Sequence, residues 1–88
     1  MDTATPVILR VETPSYGRVI VEGSDRVRYH ADLSSLDRVY CYPRDDAAWR
    51  QVSPDSYGLG LIWASRFEVH IDQVIGLAER TEPIERSA

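Results

Sequence analysis

Residues 57–78 read YGLGLIWASRFEVHIDQVIGLA, and this stretch decides the predicted fold. Apolar residues alternate in each half of it, which is the pattern of two half-buried β-strands. A register slipped by one residue would divide the apolar side chains between the two faces. A three-residue loop at residues 64–66 instead puts all of them on one face, in the facing pairs Trp63 with Phe67, Leu61 with Val69, and Leu59 with Ile71.

A helix is predicted directly after this hairpin. Asp72 is the predicted N-cap, and apolar residues follow it at helical spacing. Pro83 disfavours helical backbone at Glu82. We therefore expect a C-terminal helix from about Gln73 to Arg80 that packs on the sheet as the second layer of a small core.

The first third of the chain predicts an N-terminal strand and another hairpin. Residues 7–12 alternate in polarity and end before Pro14. Residues 18–22 and 26–31 flank Gly23-Ser24-Asp25, and a three-residue loop there places the valines on one face. Asp25 is expected to take the left-handed conformation at the end of the loop. The expected facing pairs are Val21 with Val27, Val19 with Tyr29, Glu22 with Arg26, and Arg18 with His30.

The middle of the chain predicts a short helix, because Asp45 and Asp46 precede the helix formers that lead to Trp49. A brief strand is expected from Val52. The predicted fold is thus α+β and two-layered: an antiparallel sheet built from two β-hairpins plus an N-terminal strand, one short middle helix and a C-terminal helix. Residues 6–80 form the single predicted domain, and residues 1–5 and 81–88 are predicted to be flexible tails.

Composition excludes several classes of function. Ten arginines and no lysine stand against fourteen acidic residues, for a net charge of -4, which argues against a stand-alone nucleic-acid-binding domain. The sequence has no run of roughly 20 apolar residues and no signal-peptide pattern, so no membrane contact is expected and the expected location is cytoplasmic. Cys41 is the single cysteine, which excludes an internal disulfide and a multi-cysteine zinc motif.

No residue pattern points to catalysis, a metal or a cofactor, and none of the three is expected. His30, His70, Asp32 and Cys41 lack the spacing of metal ligands. Cys41 is interpreted as a small buried hydrophobic residue. Gly58 and Gly60 are interpreted as marks of a bulge or a close packing contact.

Two regions are candidate binding sites. Arg26, Arg28 and His30, with Arg18 beside them, either receive an acidic partner or an anion, or form cross-strand pairs with acids such as Glu22. The second region consists of Glu68, His70 and Asp32. The large aromatics Trp49, Trp63 and Phe67 are interpreted as structural, together with the N-cap Asp72.

Three motifs carry a resemblance to a known family over residues 6–78: YHADLSSL with Asp32, RDDAAWRQV with Asp45, Trp49 and Val52, and YGLGLIW followed by FEVHI with Trp63, Glu68 and Val69. In this order they resemble the DUF2442 family of small uncharacterised bacterial proteins. The resemblance implies a two-layer α+β domain and no established activity. Some members of that family are encoded beside another small protein, in arrangements that suggest toxin–antitoxin pairs.

Together these features predict a non-enzymatic protein-interaction or regulatory module. Its expected partner is a second copy of the chain, giving a homodimer, or a small protein, bound through an exposed sheet edge or face. The alternative is a small ligand-binding domain or enzyme with a site near Glu68, His70 and Asp32.

Overall fold

The computed structural model describes residues 5–84, which form two antiparallel β-sheets and two short α-helices. The predicted α+β class is therefore confirmed. Of the predicted tails, residues 1–4 and 85–88 lie outside the described residues. The elements in chain order are β1 (Ile8–Ser15), β2 (Arg18–Gly23), β3 (Val27–Asp32), a 3₁₀ turn (Ser34–Leu36), α1 (Asp46–Trp49), β4 (Val52–Pro54), β5 (Gly60–Trp63), β6 (Glu68–His70), α2 (Ile71–Gly76) and β7 (Ala78–Pro83).

The strands lie in two sheets, whereas the sequence predicts one. The first sheet has the order β1-β2-β3-β7 and the second has the order β4-β5-β6. β1 and β4 lie next to each other without sharing a hydrogen-bond ladder. The N–H of Ile8 donates to the carbonyl of Gly58 instead, at 2.7 Å. β4 has three residues and ends at Pro54, which has no N–H to donate, so it cannot extend the first sheet well.

The hairpin of β5 and β6 has the register that the apolar alternation predicts. Leu61 lies opposite Val69, and both side chains are buried. Leu59 departs from the prediction: it lies just before β5 and is partly exposed, although Ile71 is buried. The N–H of Trp63 donates to the carbonyl of Phe67 at 2.9 Å and closes a three-residue loop. Arg66 occupies the last loop position with a φ of 74°.

The register predicted for the hairpin of β2 and β3 is wrong by two residues. Val21 lies opposite Tyr29, so the loop consists of residues 24–26 and the left-handed residue is Arg26, with a φ of 66°. Asp25 holds the loop from its middle position, because its carboxylate accepts the N–H of Val27 at 3.2 Å and the hydroxyl of Tyr29 at 2.5 Å. A shift by two residues leaves every side chain on its predicted face.

The prediction for the C-terminal helix is wrong in its length. α2 ends at Gly76, and residues 78–83 form β7 instead of continuing the helix or forming a tail. Ala78, Glu79 and Arg80 favour a helix locally. β7 pairs antiparallel with β3, with Arg28 opposite Glu82, and this ladder outweighs the local preference.

One core joins the two sheets. The three aromatic residues predicted to be structural, Trp49, Trp63 and Phe67, are all buried in it. Cys41 is only half-buried and packs against the edge of the core. The other buried members are Ile8, Val19, Val21, Ala31, Leu33, Tyr42, Leu61, Val69, Ile71 and Val74.

Gly58 and Gly60 lie where backbone segments approach closely, in agreement with their interpretation as close packing contacts. A Cβ on Gly60 would lie 2.7 Å from the carbonyl oxygen of Val69. Gly58 has a φ of +71°, and a Cβ there would lie 3.0 Å from the carbonyl oxygen of Ile8. No other residue type fits either position without displacing backbone.

Candidate functional site

The basic residues of the first sheet lie on its solvent-facing side and are paired with acids. Arg28 lies 3.5 Å from the carboxylate of Glu12 on β1 and 3.8 Å from that of Glu22 on β2. Arg26 does not face Glu22 as predicted, because it occupies the left-handed loop position. The pairing of Arg28 supports the cross-strand interpretation of this row of residues over a free anion site.

Arg18 and Asp32 belong to the same paired surface. Arg18 contacts Glu79 at 2.5 Å and Asp32 at 3.4 Å. Its hydrogen bond with Glu79, followed by the charge of that residue, raises the pKa of Arg18. Hydrogen bonds from the side chain and backbone of Ser34 lower the pKa of Asp32, with a smaller contribution from Arg18. Asp32 is thus held as a structural anion at the end of β3.

His30 completes the row on β3 and bonds to β7. Its Nε2 lies 2.7 Å from the carboxylate of Glu82, and this hydrogen bond lowers the pKa of Glu82. Arg80 also lies 3.7 Å from the same carboxylate. The sequence pattern predicts no strand at residues 78–83 and therefore does not reveal these acidic partners of the basic row.

Glu68 and His70 lie apart from Asp32, on the outer face of the second sheet. They line a shallow depression of about 100 Å³ together with neighbouring residues of β5 and of the loop before it. Asp32 does not line it. The other lining residues are Asp55, Leu59, Gly60, Leu61, Ile62 and Val69. The predicted three-residue site is therefore not assembled in the structure.

The depression exists because Gly60 has no side chain. Gly60 lies opposite His70, and Ile62 lies opposite Glu68, so a residue at the Gly60 position would share the outer face with these side chains. Leu59 and Ile62 border the depression and remain exposed, at 41% and 37% of their surfaces. We call the surface formed by Asp55, Leu59, Gly60, Ile62, Glu68 and His70 the outer patch.

Asp55 shapes the loop that leads into the outer patch. Its carboxylate oxygen Oδ1 accepts the N–H groups of Tyr57 and Leu59, both at 2.9 Å. The N–H of Asp55 donates to the carbonyl of Gly60 at 2.9 Å. These three bonds hold Leu59 on the border of the depression, and they leave the Tyr57 side chain exposed.

His70, and not the predicted residue Asp72, caps the N-terminus of α2. The Nδ1 atom of His70 accepts the N–H of Asp72 at 3.1 Å, and the side chain of Gln73 accepts the N–H of His70 at 3.2 Å. This reciprocal pair is a capping box, so α2 begins at Ile71. The prediction that Asp72 is the N-cap is wrong. Asp72 lies in the first turn, where its charge suits the helix dipole.

The remaining chemistry-bearing residues form no second site in the part of the chain that the structure describes. No group of three His, Cys, Asp or Glu side chains could hold a metal ion among residues 5–84. The carbonyl of Cys41 accepts the hydroxyl of Ser65 at 2.7 Å, which ties its loop to the β5–β6 turn. Burial raises the pKa of Tyr42 to about 12, and its hydroxyl has no partner within the described range.

No protein-family model, curated protein or solved structure matches this chain. None of the helices within residues 5–84 is long and apolar enough to cross a membrane.

Proposed function

We propose that this chain is a non-enzymatic protein-interaction module that binds a small protein partner through the outer patch. The proposal rests on one observation: two exposed aliphatic residues, Leu59 and Ile62, border a depression whose floor, at Gly60, has no side chain. Such a surface receives an apolar side chain from a partner and removes apolar area from water on both molecules.

The size of the depression favours a protein partner over a metabolite. Ligand pockets usually enclose roughly 300 to 1,000 Å³, whereas this depression has about 100 Å³. It has room for about one aliphatic side chain. The rest of the binding energy would come from the flat surface around it, as in protein–protein contacts.

The charges at the border define the partner further. Asp55 and Glu68 are the acids that line the depression, and the whole chain has a net charge of -4. A partner segment with an apolar residue flanked by arginine or lysine is therefore complementary in both shape and charge. The resemblance to the DUF2442 family agrees with a small protein as this partner, in a pair of the toxin–antitoxin type.

A second candidate function is small-ligand binding or catalysis in the same depression, because Glu68 and His70 both line it. The capping role of His70 weighs against this candidate, since its Nδ1 already accepts a backbone N–H. The position of Asp32, beside Arg18 on the first sheet, also removes the third group that such a site was expected to contain.

The experiment that tests the proposal compares three forms of the tagged chain in affinity capture from lysate of its source organism. The wild type is compared with Ile62→Ser and with the matched control Val39→Ser, whose parent residues are 37% and 41% exposed. Thermal melting first establishes that all three fold. We expect one stoichiometric protein partner with the wild type and the control, and at least tenfold weaker binding of that purified partner to Ile62→Ser.

Equal binding of the partner to all three forms would show that the outer patch is not the contact surface. Absence of a stoichiometric protein, together with a small molecule that co-purifies with the wild type and is lost in Ile62→Ser, would establish the second candidate instead.

A further inference from the structure

β7 forms one edge of the four-stranded sheet. It pairs with β3 on one side, and no strand within residues 5–84 pairs with its other side. The strand is six residues long and mostly exposed. An edge of this kind presents backbone N–H and C=O groups to which another strand can bond.

The hydrogen bonds to β3 reveal which groups of β7 point outward. The N–H of Ile84 donates to the carbonyl of Arg26 at 2.9 Å. Hydrogen-bonded pairs alternate with non-hydrogen-bonded pairs in an antiparallel ladder. Arg80 and Glu82, which lie opposite His30 and Arg28, therefore direct their backbone groups toward β3. Thr81 lies between them and directs its N–H and C=O toward the open edge.

Charge then selects one register for a second copy of β7. The β3–β7 ladder is regular only from Arg80 to Pro83, because it has an irregularity at Glu79. The two-fold axis of a symmetric antiparallel pair passes through one residue of the strand, and the interior positions of this regular segment, with the first residue Arg80, are Arg80, Thr81 and Glu82. An axis through Arg80 places the two copies of Arg80 opposite each other, and an axis through Glu82 places the two copies of Glu82 opposite each other. Like charges directly opposite are destabilising. An axis through Thr81 instead places Arg80 of each copy opposite Glu82 of the other copy.

We propose that two copies of this chain associate through β7, with Thr81 facing Thr81 across a two-fold axis, and form a continuous eight-stranded antiparallel sheet. The two threonines exchange a pair of backbone hydrogen bonds, and two Arg80–Glu82 ion pairs lie beside them on one face. Pro83 has no N–H, but its carbonyl accepts a bond at the end of the ladder. The interface is isologous, as expected of a homodimer.

The competing explanation is that the charges and Pro83 protect this edge from any partner strand. The two explanations differ in the molar mass in solution. Sedimentation of the purified chain over a range of concentrations should show a shift from 10.0 kDa toward twice that mass. A mass of 10.0 kDa up to millimolar concentration would overturn the proposal.

Thr81→Pro removes the central donor without removing a bond to β3, because the Thr81 N–H points away from β3. We expect this variant to fold and to weaken association at least tenfold. A thermal melt compared with that of the wild-type monomer establishes the fold. A folded variant that dimerises as strongly as the wild type would exclude the β7 edge.

A charge exchange tests the register. Arg80→Glu alone and Glu82→Arg alone each place like charges opposite each other, so each should be monomeric at concentrations where the wild type dimerises. Mixing the two variants restores opposite charges at both pairs and should give a 1:1 heterodimer. Failure of folded variants to associate on mixing would overturn the Thr81-centred register.

Arg10→Glu is the matched control, because Arg10 lies on β1 at the other edge of the same sheet. We expect it to leave the dimer unchanged. Ile62→Ser should also leave the dimer unchanged, since the outer patch lies on the second sheet. Loss of partner binding and loss of self-association are therefore separable, and either proposal can fail without the other.

Discussion

The indole N–H of Trp63 donates to the carbonyl oxygen of Trp49 at 2.8 Å, and the two ring centroids lie 4.8 Å apart. Trp49 donates its own indole N–H to the carbonyl of Arg18 at 3.0 Å. These two bonds form a chain from β5 through α1 to β2, so they join the two sheets. α1 is one turn long, but it positions Trp49 between the two sheets and so contributes to holding them together.

Trp63→Phe should test this bridge. The substitution keeps an aromatic ring but leaves the Trp49 carbonyl without its donor and leaves a small void. We expect the free energy of unfolding to fall by about 2–4 kcal/mol. Chemical denaturation measures it, with Tyr40→Phe as the control because Tyr40 is 97% exposed. A loss below about 0.5 kcal/mol would show that the bridge contributes little.

Removal of the Tyr42 hydroxyl and removal of the Tyr29 hydroxyl should have different effects on the free energy of unfolding. The hydroxyl of Tyr42 is buried and without a partner in the described chain, so Tyr42→Phe should be neutral or stabilise by up to about 1 kcal/mol. Tyr29 donates to Asp25 at 2.5 Å, so Tyr29→Phe should destabilise by about 1 kcal/mol. Denaturation midpoints in the same urea series compare them. Equal effects of the two substitutions would contradict this difference.

Both hairpin loops place an arginine in the left-handed region, at Arg26 and Arg66. This conformation costs a residue with a Cβ about 1–2 kcal/mol, whereas glycine adopts it freely but loses more entropy on folding. We expect Arg26→Gly and Arg66→Gly each to raise the free energy of unfolding by about 0.5–1 kcal/mol. Thermal melts should show this as an increase in melting temperature.

Arg50→Gly is the control for these loop substitutions, because Arg50 has an ordinary helical φ of -76°. It should destabilise, since glycine there loses entropy without relieving strain. Destabilisation by all three glycines would mean that the arginines of the loops make contacts worth more than their strain.

Two glycine-to-alanine substitutions should differ in sign. A Cβ at Gly60 would lie 2.7 Å from the carbonyl oxygen of Val69, so Gly60→Ala must displace backbone and should destabilise by several kcal/mol, on the order of 2–4. Gly76 lies in α2 with nothing within 4 Å of its Cβ position, so Gly76→Ala should stabilise by about 0.5–1 kcal/mol. Thermal melts of the two variants measure this, and the same sign for both would refute it.

Stability should fall in acid because Glu82 and Asp32 have lowered pKa values in the folded state. The hydrogen bond from His30 is the main cause for Glu82, and hydrogen bonds from Ser34 are the main cause for Asp32. A lowered folded pKa adds stability that is complete above the unfolded pKa and is lost as the pH falls through the folded pKa.

Urea unfolding of dilute protein at pH 7 and at steps below about 4.5, the usual pKa of a glutamate, measures this loss. Glu82→Gln and Asp32→Asn should each lower the stability at pH 7 and flatten its decline in acid. A variant that keeps the full wild-type slope would show that its carboxyl does not contribute.

Alternation of polarity determined which side chains are buried in β2, β5 and β6, but not in β1, where Ile8 is buried and Leu9 is 61% exposed beside a register shift. Leu61, Val69, Val19 and Val21 all lie on their predicted face. The two-residue error in the predicted register of β2 and β3 does not affect these faces, because a shift of two residues keeps each side chain on the same face. The acids before Trp49 likewise specified α1 locally, through the cap at Asp45.

The candidate site was less predictable, because it depends on which strands become neighbours. Glu68 and His70 share a depression since β5 and β6 form a local hairpin, whereas Asp32 bonds to Arg18 on another sheet. The sequence pattern places a titratable side chain at each of these three positions, but it does not specify the distance between elements that are far apart in the chain.

The sequence by itself thus determined the α+β class, the buried faces of β2, β5 and β6, and the local hairpin from Gly60 to His70, because these follow from periodicity over a few residues. The tertiary structure alone decided that residues 78–83 are a strand and that the strands divide into two sheets. Ala78, Glu79 and Arg80 would continue a helix by local preference. The free side of β3 gives them a ladder of backbone hydrogen bonds instead, and that partner lies some fifty residues earlier in the chain.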